Sequence, residues 1–283
     1  MIVVTGANGT VGTALVEQLR AAGQDVRVVV RSAEKGRAAA DLGAEVAVAD
    51  VRDAQPFGAA LEGADALFLN TASLPGFVED QKAAIDTAVA AGVTRIVRLS
   101  ALGSSHDSAM SFGRGHAELD EYVKAASPEA TVLAPNGFFS NVLGMAATIA
   151  QGGIYTNAGD GKVSQIDPRD IAASASVVLT QPGHAGTTYS LTGPEAIGYA
   201  DVAATLTRLL GRPVAYVPVD DAAAHAALSG FGLPAAQVDD IVALGRVYAA
   251  GHAASVTDDV RQLTGNPPRT FESFAADHLA AFS

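Results

Sequence analysis

The sequence begins MIVVTGANGTVGTALVEQL (residues 1–19). A short β-branched run ends at Thr5, and three glycines follow at intervals of three: Gly6, Gly9 and Gly12. An apolar pattern at helical spacing starts directly behind them, with Val11, Leu15, Val16 and Leu19. This order predicts a strand, a tight turn and a helix.

The same alternation continues along the first half of the chain. Short apolar runs at 25–30, 44–50, 64–70, 94–100 and 130–135 predict strands, and helical patterns lie between them near 12–22, 33–42, 55–62, 77–91 and 114–126. Gly23, Gly43 and Gly92 follow such helical stretches, where glycine commonly ends a helix. The sequence therefore predicts an α/β, Rossmann-type doubly wound parallel sheet covered on both faces.

The pattern becomes mainly helical towards the end of the chain, with a last strand of the sheet predicted at 187–193 and one further strand at 214–219. We expect a dinucleotide-binding domain over residues 1–153, to which the chain returns at about 170–192. A smaller, mainly helical domain on the substrate side is expected over 154–283. Neither an internal repeat nor a low-complexity linker separates them.

Composition narrows the function classes. The chain has 283 residues, 49% of them hydrophobic, a formal net charge of −12 and no cysteine. The acidic balance argues against a nucleic-acid surface, and the lack of cysteine excludes thiolate chemistry and disulfides. No spacing of His, Asp or Glu predicts a metal site. The first stretch lacks a basic segment of the signal-peptide type and no apolar run is long enough to span a membrane, so we expect a cytoplasmic protein.

A glycine-spaced turn between a strand and a helix is typical of diphosphate binding. Glycines permit the tight turn and the close approach of the anion, while the helix N-terminus supplies free N–H groups and partial positive charge. The lysine that ends a P-loop is missing, because Gly12 and Thr13 occupy that place. The turn therefore predicts a dinucleotide site, and its predicted contact residues are Gly6, Asn8, Gly9, Thr10, Val11 and Gly12.

The end of the second strand indicates which dinucleotide binds. An NAD site has a carboxylate there for the ribose hydroxyls, whereas this chain has Arg31, with Lys35 and Arg37 close behind. A guanidinium pairs well with a 2′-phosphate, so NADP(H) is predicted in preference to NAD(H). Asp50 and Val51, at the end of the third strand, are candidates for the adenine side, although Asp50 could equally cap the following turn.

Other polar residues follow the central strands. Asn70 and Thr71 follow the fourth strand and Ser100 ends the fifth. Because ligands of open α/β sheets bind at the carboxyl ends of the strands, these residues are also candidate cofactor contacts.

Taken together, these stretches resemble the NmrA-like branch of the atypical short-chain dehydrogenases/reductases, and within it the NAD(P)H:quinone oxidoreductase type. The matching segments include VTGANGTVG, VVVRSAEK, VADVRD, AGVTRIVRLSALGS, HAELDEYV, LAPNGFFSNV, DPRDIA and YSLTGPEAIGYADVAATL. The resemblance implies that the 6–12 turn holds the pyrophosphate and that Arg31 holds the 2′-phosphate. It also implies cofactor contacts from Asn70, Thr71 and Ala72 and from the segment that begins Asn136, Gly137, Phe138.

The resemblance also bears on the chemistry. Ordinary short-chain dehydrogenases use a Tyr-x-x-x-Lys pair, but here Tyr122 and Lys124 are only two positions apart. The family places Lys or His where His116 stands. We expect this imidazole, with an ordinary pKa near neutrality, to relieve the charge that develops on a reduced acceptor; water or a purely structural role for His116 is the alternative.

The sequence thus predicts an NADPH-dependent reductase of a small planar acceptor, quinone-like by preference, with no nucleic-acid or membrane partner. Two other functions stay open. Some NmrA-like proteins bind NADP(H) without turnover and act as redox sensors through a protein partner, which the missing tyrosine–lysine pair would permit. An epimerase of the extended superfamily is disfavoured by the same absence.

Overall fold

The computed structural model describes residues 1–283, and parallel strands form its centre. The strands are β1 (Ile2–Thr5), β2 (Val26–Val30), β3 (Glu45–Val48), β4 (Ala66–Leu69), β5 (Arg95–Leu99), β6 (Thr131–Pro135), β7 (Gly153–Thr156), β8 (Lys162–Val163), β9 (Thr188–Leu191), β10 (Ile197–Gly198) and β11 (Ala215–Pro218). Seven of them form one sheet in the order β3-β2-β1-β4-β5-β6-β9, and every neighbouring pair is parallel.

Helices connect the strands. They are α1 (Thr10–Ala21), α2 (Arg37–Asp41), α3 (Ala54–Ala60), α4 (Phe77–Ala90), α5 (Ser111–Ala126), α6 (Ala146–Ala150), α7 (Pro168–Thr180), α8 (Tyr199–Leu210), α9 (Asp221–Gly230), α10 (Ala235–Ala249), α11 (Asp259–Thr264) and α12 (Phe271–Asp277). Three 3₁₀ helices lie at Ala33–Gly36, Phe139–Met145 and Leu279–Phe282. Gly23, Gly43 and Gly92 all have positive φ just beyond a helix, as predicted. None of the helices is both long and apolar enough to cross a bilayer.

Alternating strand side chains form two separate cores. In β1, Val4 packs with Leu15 of α1 and Ile171 of α7 on one face of the sheet. Its neighbour Val3 packs on the opposite face with Ile85 of α4, because successive strand residues point to opposite sides. The predicted doubly wound Rossmann-type sheet is confirmed.

The strand order reverses between β1 and β4, which places a crevice at their carboxyl ends. Thr5 joins the two strands there, because its hydroxyl reaches the carbonyls of Phe68 and Asn70, 3.1 Å away in each case. The backbone N–H of Asn70 in turn donates to Thr5 Oγ1 at 2.8 Å. The glycine turn and the loop after β4 therefore begin side by side.

The rest of the chain builds a third core beside the sheet. Phe139 packs there against Phe271 and Phe274, with ring centroids 5.4 and 5.7 Å away. Two short sheets flank this core: β7 pairs with β11 in parallel, and β8 pairs with β10 in antiparallel fashion. The chain returns to the large sheet through α7 and β9. The division into two domains and its boundaries stay a prediction.

Candidate active site

The glycine turn is shaped by its own close contacts. Gly6 has φ +65°, and a Cβ on it would lie 2.7 Å from the carbonyl oxygen of Asn70. A Cβ on Gly12 would lie 2.1 Å from the carbonyl oxygen of Gly6, closer than any side chain permits. Gly9 is looser, since its nearest contact would be 3.3 Å, and its N–H donates to the Gly6 carbonyl at 3.0 Å. Gly6 and Gly12 thus allow the tight turn, while Gly9 leaves the outer side of the turn without a side chain.

The N-terminus of α1 faces outward beside this turn. Gly9 occupies the N-cap position and therefore offers no capping side chain, and the first turn holds no acidic residue. Asn8 and Thr10 are exposed, whereas Val11 is buried in the core and offers only its backbone N–H. Free N–H groups and the positive end of the helix dipole favour an anion here. A diphosphate fits this cradle.

Positive side chains cluster at the ends of the next two strands. Arg31 is exposed after β2 and has no carboxylate partner. At the end of β3, the guanidinium of Arg52 holds both carboxylate oxygens of Asp50 at 2.9 and 2.6 Å. This hydrogen bonding lowers the pKa of Asp50 to about 2. Asp50 is therefore ionised, and Arg52 neutralises its charge, so Asp50 does not repel an anion next to Arg31. Val51 beside it is half-buried.

A buried arginine organises the other side of the crevice. Arg98 of β5 is fully buried, and its guanidinium forms a salt bridge with Asp120 of α5. Its Nε donates to Gln81 Oε1 at 2.9 Å, and its Nη2 lies 2.8 Å from Nδ1 of His116. Burial lowers the pKa of Arg98 to about 10, which still leaves it charged. One cation thus connects α4, β5 and α5.

His116 is held in one protonation state by this network. A guanidinium only donates hydrogen bonds, so the ring Nδ1 accepts from Arg98 and the ring proton sits on Nε2. Burial and the charge of Arg98 lower the pKa of His116 to about 3. The expected near-neutral pKa is therefore wrong: His116 is a neutral donor that does not take up a second proton at physiological pH.

Besides the Arg98 guanidinium at Nδ1, the imidazole of His116 lies near two aromatic rings and one hydroxyl. The ring of Phe77 lies 5.4 Å and that of Phe112 6.5 Å from the ring of His116. Ser73, in the loop after β4, places its Oγ 3.2 Å from His116 Nε2. The same loop is tied back at Thr71, whose Oγ1 accepts from Gln81 Nε2 at 2.7 Å. The donor of His116 is thus directed at the loop that lines the crevice.

Two further predicted contacts, Ser100 and Thr71, use their hydroxyl groups in hydrogen bonds within the protein. Ser100 is buried and donates to Asp120 Oδ2 at 2.7 Å, which adds it to the Arg98 network. Ala72 is exposed in the loop after β4, and Asn70 and Thr71 beside it are half-buried. The structure therefore brings Asn70, Thr71, Ala72, Ser100 and His116 to one edge of the sheet.

Asn136 ties the sheet to the C-terminal part of the chain. Its Nδ2 donates to Ser164 Oγ and to the Ala253 carbonyl, both at 2.8 Å, and its Oδ1 accepts from the Gly137 N–H. A Cβ on Gly137 would lie 2.6 Å from the hydroxyl oxygen of Tyr248. Phe138 is half-buried next to them. Cofactor contact by these three residues stays a prediction, with the Asn136 amide occupied elsewhere.

Comparison with known proteins shows the family of this chain. The model of the NmrA-like family matches residues 1–275. The chain belongs to the NmrA-like family. It is 38% identical over 283 residues to an NAD(P)H azoreductase of Xenophilus azovorans, covering 100% of this chain and 99% of that protein. It is 31% identical over 238 residues to quinone oxidoreductase 2 of Escherichia coli, covering 83% of each chain.

A solved structure extends the comparison to the whole fold. This NmrA-like protein matches the NADPH-dependent quinone oxidoreductase of Escherichia coli, complexed with NADPH, with a TM-score of 0.90 and 28% identity, covering 99% of this chain and 100% of that one. With the two sequence relatives, it confirms the family that the motifs predicted and shows that the protein is an oxidoreductase.

The residues of the usual short-chain dehydrogenase pair have other partners in this NmrA-like protein. The hydroxyl of Tyr122 donates to Asp86 Oδ1 at 2.7 Å, and Nζ of Lys124 donates to Thr188 Oγ1 at 2.6 Å. The two side chains therefore do not act as a pair.

Four residues of the site, Ser73, Gln81, Arg98 and Asp120, were not predicted from the sequence. One signal was available, because an arginine inside the apolar strand TRIVRLS must be paired if that strand is buried on both faces. Asp120 also lies four residues after His116, on the same face of a helix.

Acidification tests the buried, neutral state of His116. Its pKa is about 3 when folded and 6.5 when unperturbed, so the unfolded chain binds more protons between these values. Stability from this group is therefore present above about pH 6.5 and is lost as the pH falls towards 3, about 1–2 kcal/mol of it between pH 7 and pH 5. Between pH 7 and pH 5 we expect the free energy of unfolding of His116→Gln to fall by about 1–2 kcal/mol less than that of the wild type. Urea unfolding at both pH values measures the difference.

A substitution of an exposed histidine, His252→Gln, is the matched control. Equal losses in wild type and His116→Gln would show that the imidazole of His116 is not held neutral by the fold.

Proposed function

We propose that this protein is an NADPH-dependent reductase that transfers hydride to a small, planar, quinone-like acceptor. One observation supports the proposal most: the bare glycine turn and a buried, pre-oriented hydrogen-bond donor lie at the same edge of the sheet. The turn suits the pyrophosphate of a dinucleotide, and the donor suits an acceptor atom that gains negative charge. The relatives named azoreductase and quinone oxidoreductase support the same chemistry.

The residues present fit the dinucleotide. The turn 6–12 would hold the pyrophosphate, Arg31 the 2′-phosphate and Asp50 the adenine side, with Asn70 to Ala72 and Asn136 to Phe138 as further contacts. Bound NADPH supplies the hydride. NADP(H) in preference to NAD(H), like the cytoplasmic location, is part of the proposal.

The protein's own contribution is position and a fixed dipole. His116 has its proton on Nε2 and is neutral near pH 7, so it donates a hydrogen bond towards the crevice without gaining charge. Such a donor stabilises a phenolate-like product, and the product then takes its proton from water. This differs from general acid catalysis by an imidazolium, which the lowered pKa of His116 disfavours.

Removal of the imidazole tests this role. We expect His116→Ala to lower kcat for quinone reduction about 10- to 100-fold, because the hydrogen bonding directed from His116 towards a developing oxyanion in the crevice is interrupted. Because the His116 side chain hydrogen-bonds to Ser73 and Arg98 and to neither the glycine turn nor Arg31, the Kd for NADPH should change little. Steady-state kinetics with a quinone and calorimetric titration of NADPH measure the two quantities; unchanged kcat would mean that water alone relieves the charge.

The first experiment on function is an acceptor panel. Consumption of NADPH is followed with quinones, azo dyes and triphenylmethane dyes, beside calorimetric titration of NADPH and NADH. Turnover with a quinone supports the proposal, and turnover only with a dye would replace the acceptor class. Tight NADPH binding with no turnover would favour the redox sensor, for which the separated Tyr122 and Lys124 are the supporting observation.

A further inference from the structure

The hydrogen bonds around His116 all point in one direction. Arg98 has only donors, so Nδ1 of His116 accepts and Nε2–H donates. The nearest acceptor of that proton is Ser73 Oγ, 3.2 Å away. The hydroxyl of Ser73 therefore receives a hydrogen bond from the ring and has its own proton free to donate further on.

The two ends of this hydrogen-bond chain, His116 and Ser73, differ in their exposure to solvent. The His116 residue is only 7% exposed and lies beside Phe77 and Phe112, so little of the ring can meet a ligand. Ser73 is exposed, three residues after Asn70 and in the loop that leaves β4 at the crevice. A molecule in the crevice would therefore meet the hydroxyl before the imidazole.

The loop that presents Ser73 is anchored by the same buried cation. Gln81, which is 1% exposed, accepts from Arg98 Nε through Oε1 and donates to Thr71 Oγ1 through Nε2. Arg98 thus reaches the loop twice, at Thr71 through Gln81 and at Ser73 through His116. Two attachments within three residues hold the Ser73 hydroxyl in place.

We propose that Ser73 is the residue that donates a hydrogen bond to the oxygen of the acceptor, and that His116 and Arg98 are positioning residues behind it. This inference rests on the proposed reductase function. When a quinone gains hydride, an electron pair moves onto its second oxygen, Ser73 O–H donates to that oxygen, and a proton from water completes the hydroquinone. Ser73 keeps its own proton, so the protein is unchanged after each turnover.

The same arrangement predicts a flat pH dependence. The charged group facing His116 is Arg98 on β5, which is paired with Asp120 of α5. Lys82 and Glu118 pair with each other on the outer side of α4 and α5. We therefore expect no inflection from His116 in kcat between about pH 5 and pH 8.

Three variants test the assignment with a quinone as acceptor. We expect Ser73→Ala to lower kcat about 10- to 100-fold with little change in the Kd for NADPH, and Ser73→Thr to restore most of the rate. The double variant Ser73→Ala/His116→Ala should be no slower than His116→Ala, because both changes interrupt one chain. The control is Ser104→Ala, whose hydroxyl in the loop after β5 donates to its own loop at the Ala101 carbonyl.

Two results would overturn the assignment. Normal kcat in Ser73→Ala together with a slow His116→Ala would show that the imidazole itself meets the acceptor. A nitrogen NMR spectrum of the free protein that placed the His116 proton on Nδ1 would reverse the direction of the chain, and this spectrum needs no acceptor. Absence of turnover with every acceptor would instead refute the proposed function, and the role of Ser73 with it.

Discussion

Arg98→Met is expected to lower the free energy of unfolding by about 3–5 kcal/mol, the usual cost of removing one partner from a buried ion pair. The substitution keeps the apolar stem but leaves the carboxylate of Asp120, the amide oxygen of Gln81 and Nδ1 of His116 without their donor. Gln81 Oε1 and His116 Nδ1 then lose the guanidinium that donates to them, and Asp120 keeps only the hydrogen bond from Ser100. Urea unfolding at neutral pH measures the loss.

The control for this prediction lies in the same strand. Arg95 is half-buried and its guanidinium donates to the Leu179 carbonyl at 2.7 Å, so Arg95→Met removes the same groups from a site open to water. We expect a loss of about 1 kcal/mol there. Arg98→Met/Asp120→Asn should recover part of the larger loss, because the unpaired charge is also removed. Similar losses in the two single variants would contradict a special role for Arg98 in the fold.

Much of the fold was predictable because it depends on local patterns. The strands of the large sheet are apolar and short, and the glycines at 6, 9 and 12 mark a turn whose geometry the chain itself requires. The short strands β7, β8 and β10 were not predicted. They have two to four residues and pair with segments brought close only by the third core, so no local period marks them.

The candidate site was predictable where it follows strand ends and not where it depends on helix packing. Asn70 and Ser100 were predicted only from their positions at the carboxyl ends of strands. The three partners of Arg98 lie 17, 18 and 22 residues away in sequence, on two different helices. Their meeting depends on how α4 and α5 pack over β5, and the pKa of His116 depends on that meeting. The sequence singled out the imidazole as a candidate, which stays a prediction, but it did not predict its neutral state.

Arg31→Asp is expected to weaken NADPH binding about 100-fold while changing the affinity for NADH by less than about threefold. A guanidinium–phosphate pair contributes about 1.5–3 kcal/mol, and a carboxylate in its place also repels the 2′-phosphate. Asp50 does not add to this repulsion in the wild type because Arg52 holds both of its oxygens. Calorimetric titration of both dinucleotides measures the two affinities.

The variant Arg37→Asp distinguishes a direct contact between Arg31 and the 2′-phosphate from the general electrostatic field of the nearby cations. It introduces the same charge change on an exposed side chain at the start of α2, six positions further along. If Arg31 pairs with the phosphate, Arg37→Asp should weaken NADPH by less than about tenfold, and added salt should reduce that effect further, since exposed charges are screened within about 10 Å at 0.1 M. Equal losses of affinity for NADPH and NADH in Arg31→Asp would show that Arg31 does not contact the 2′-phosphate.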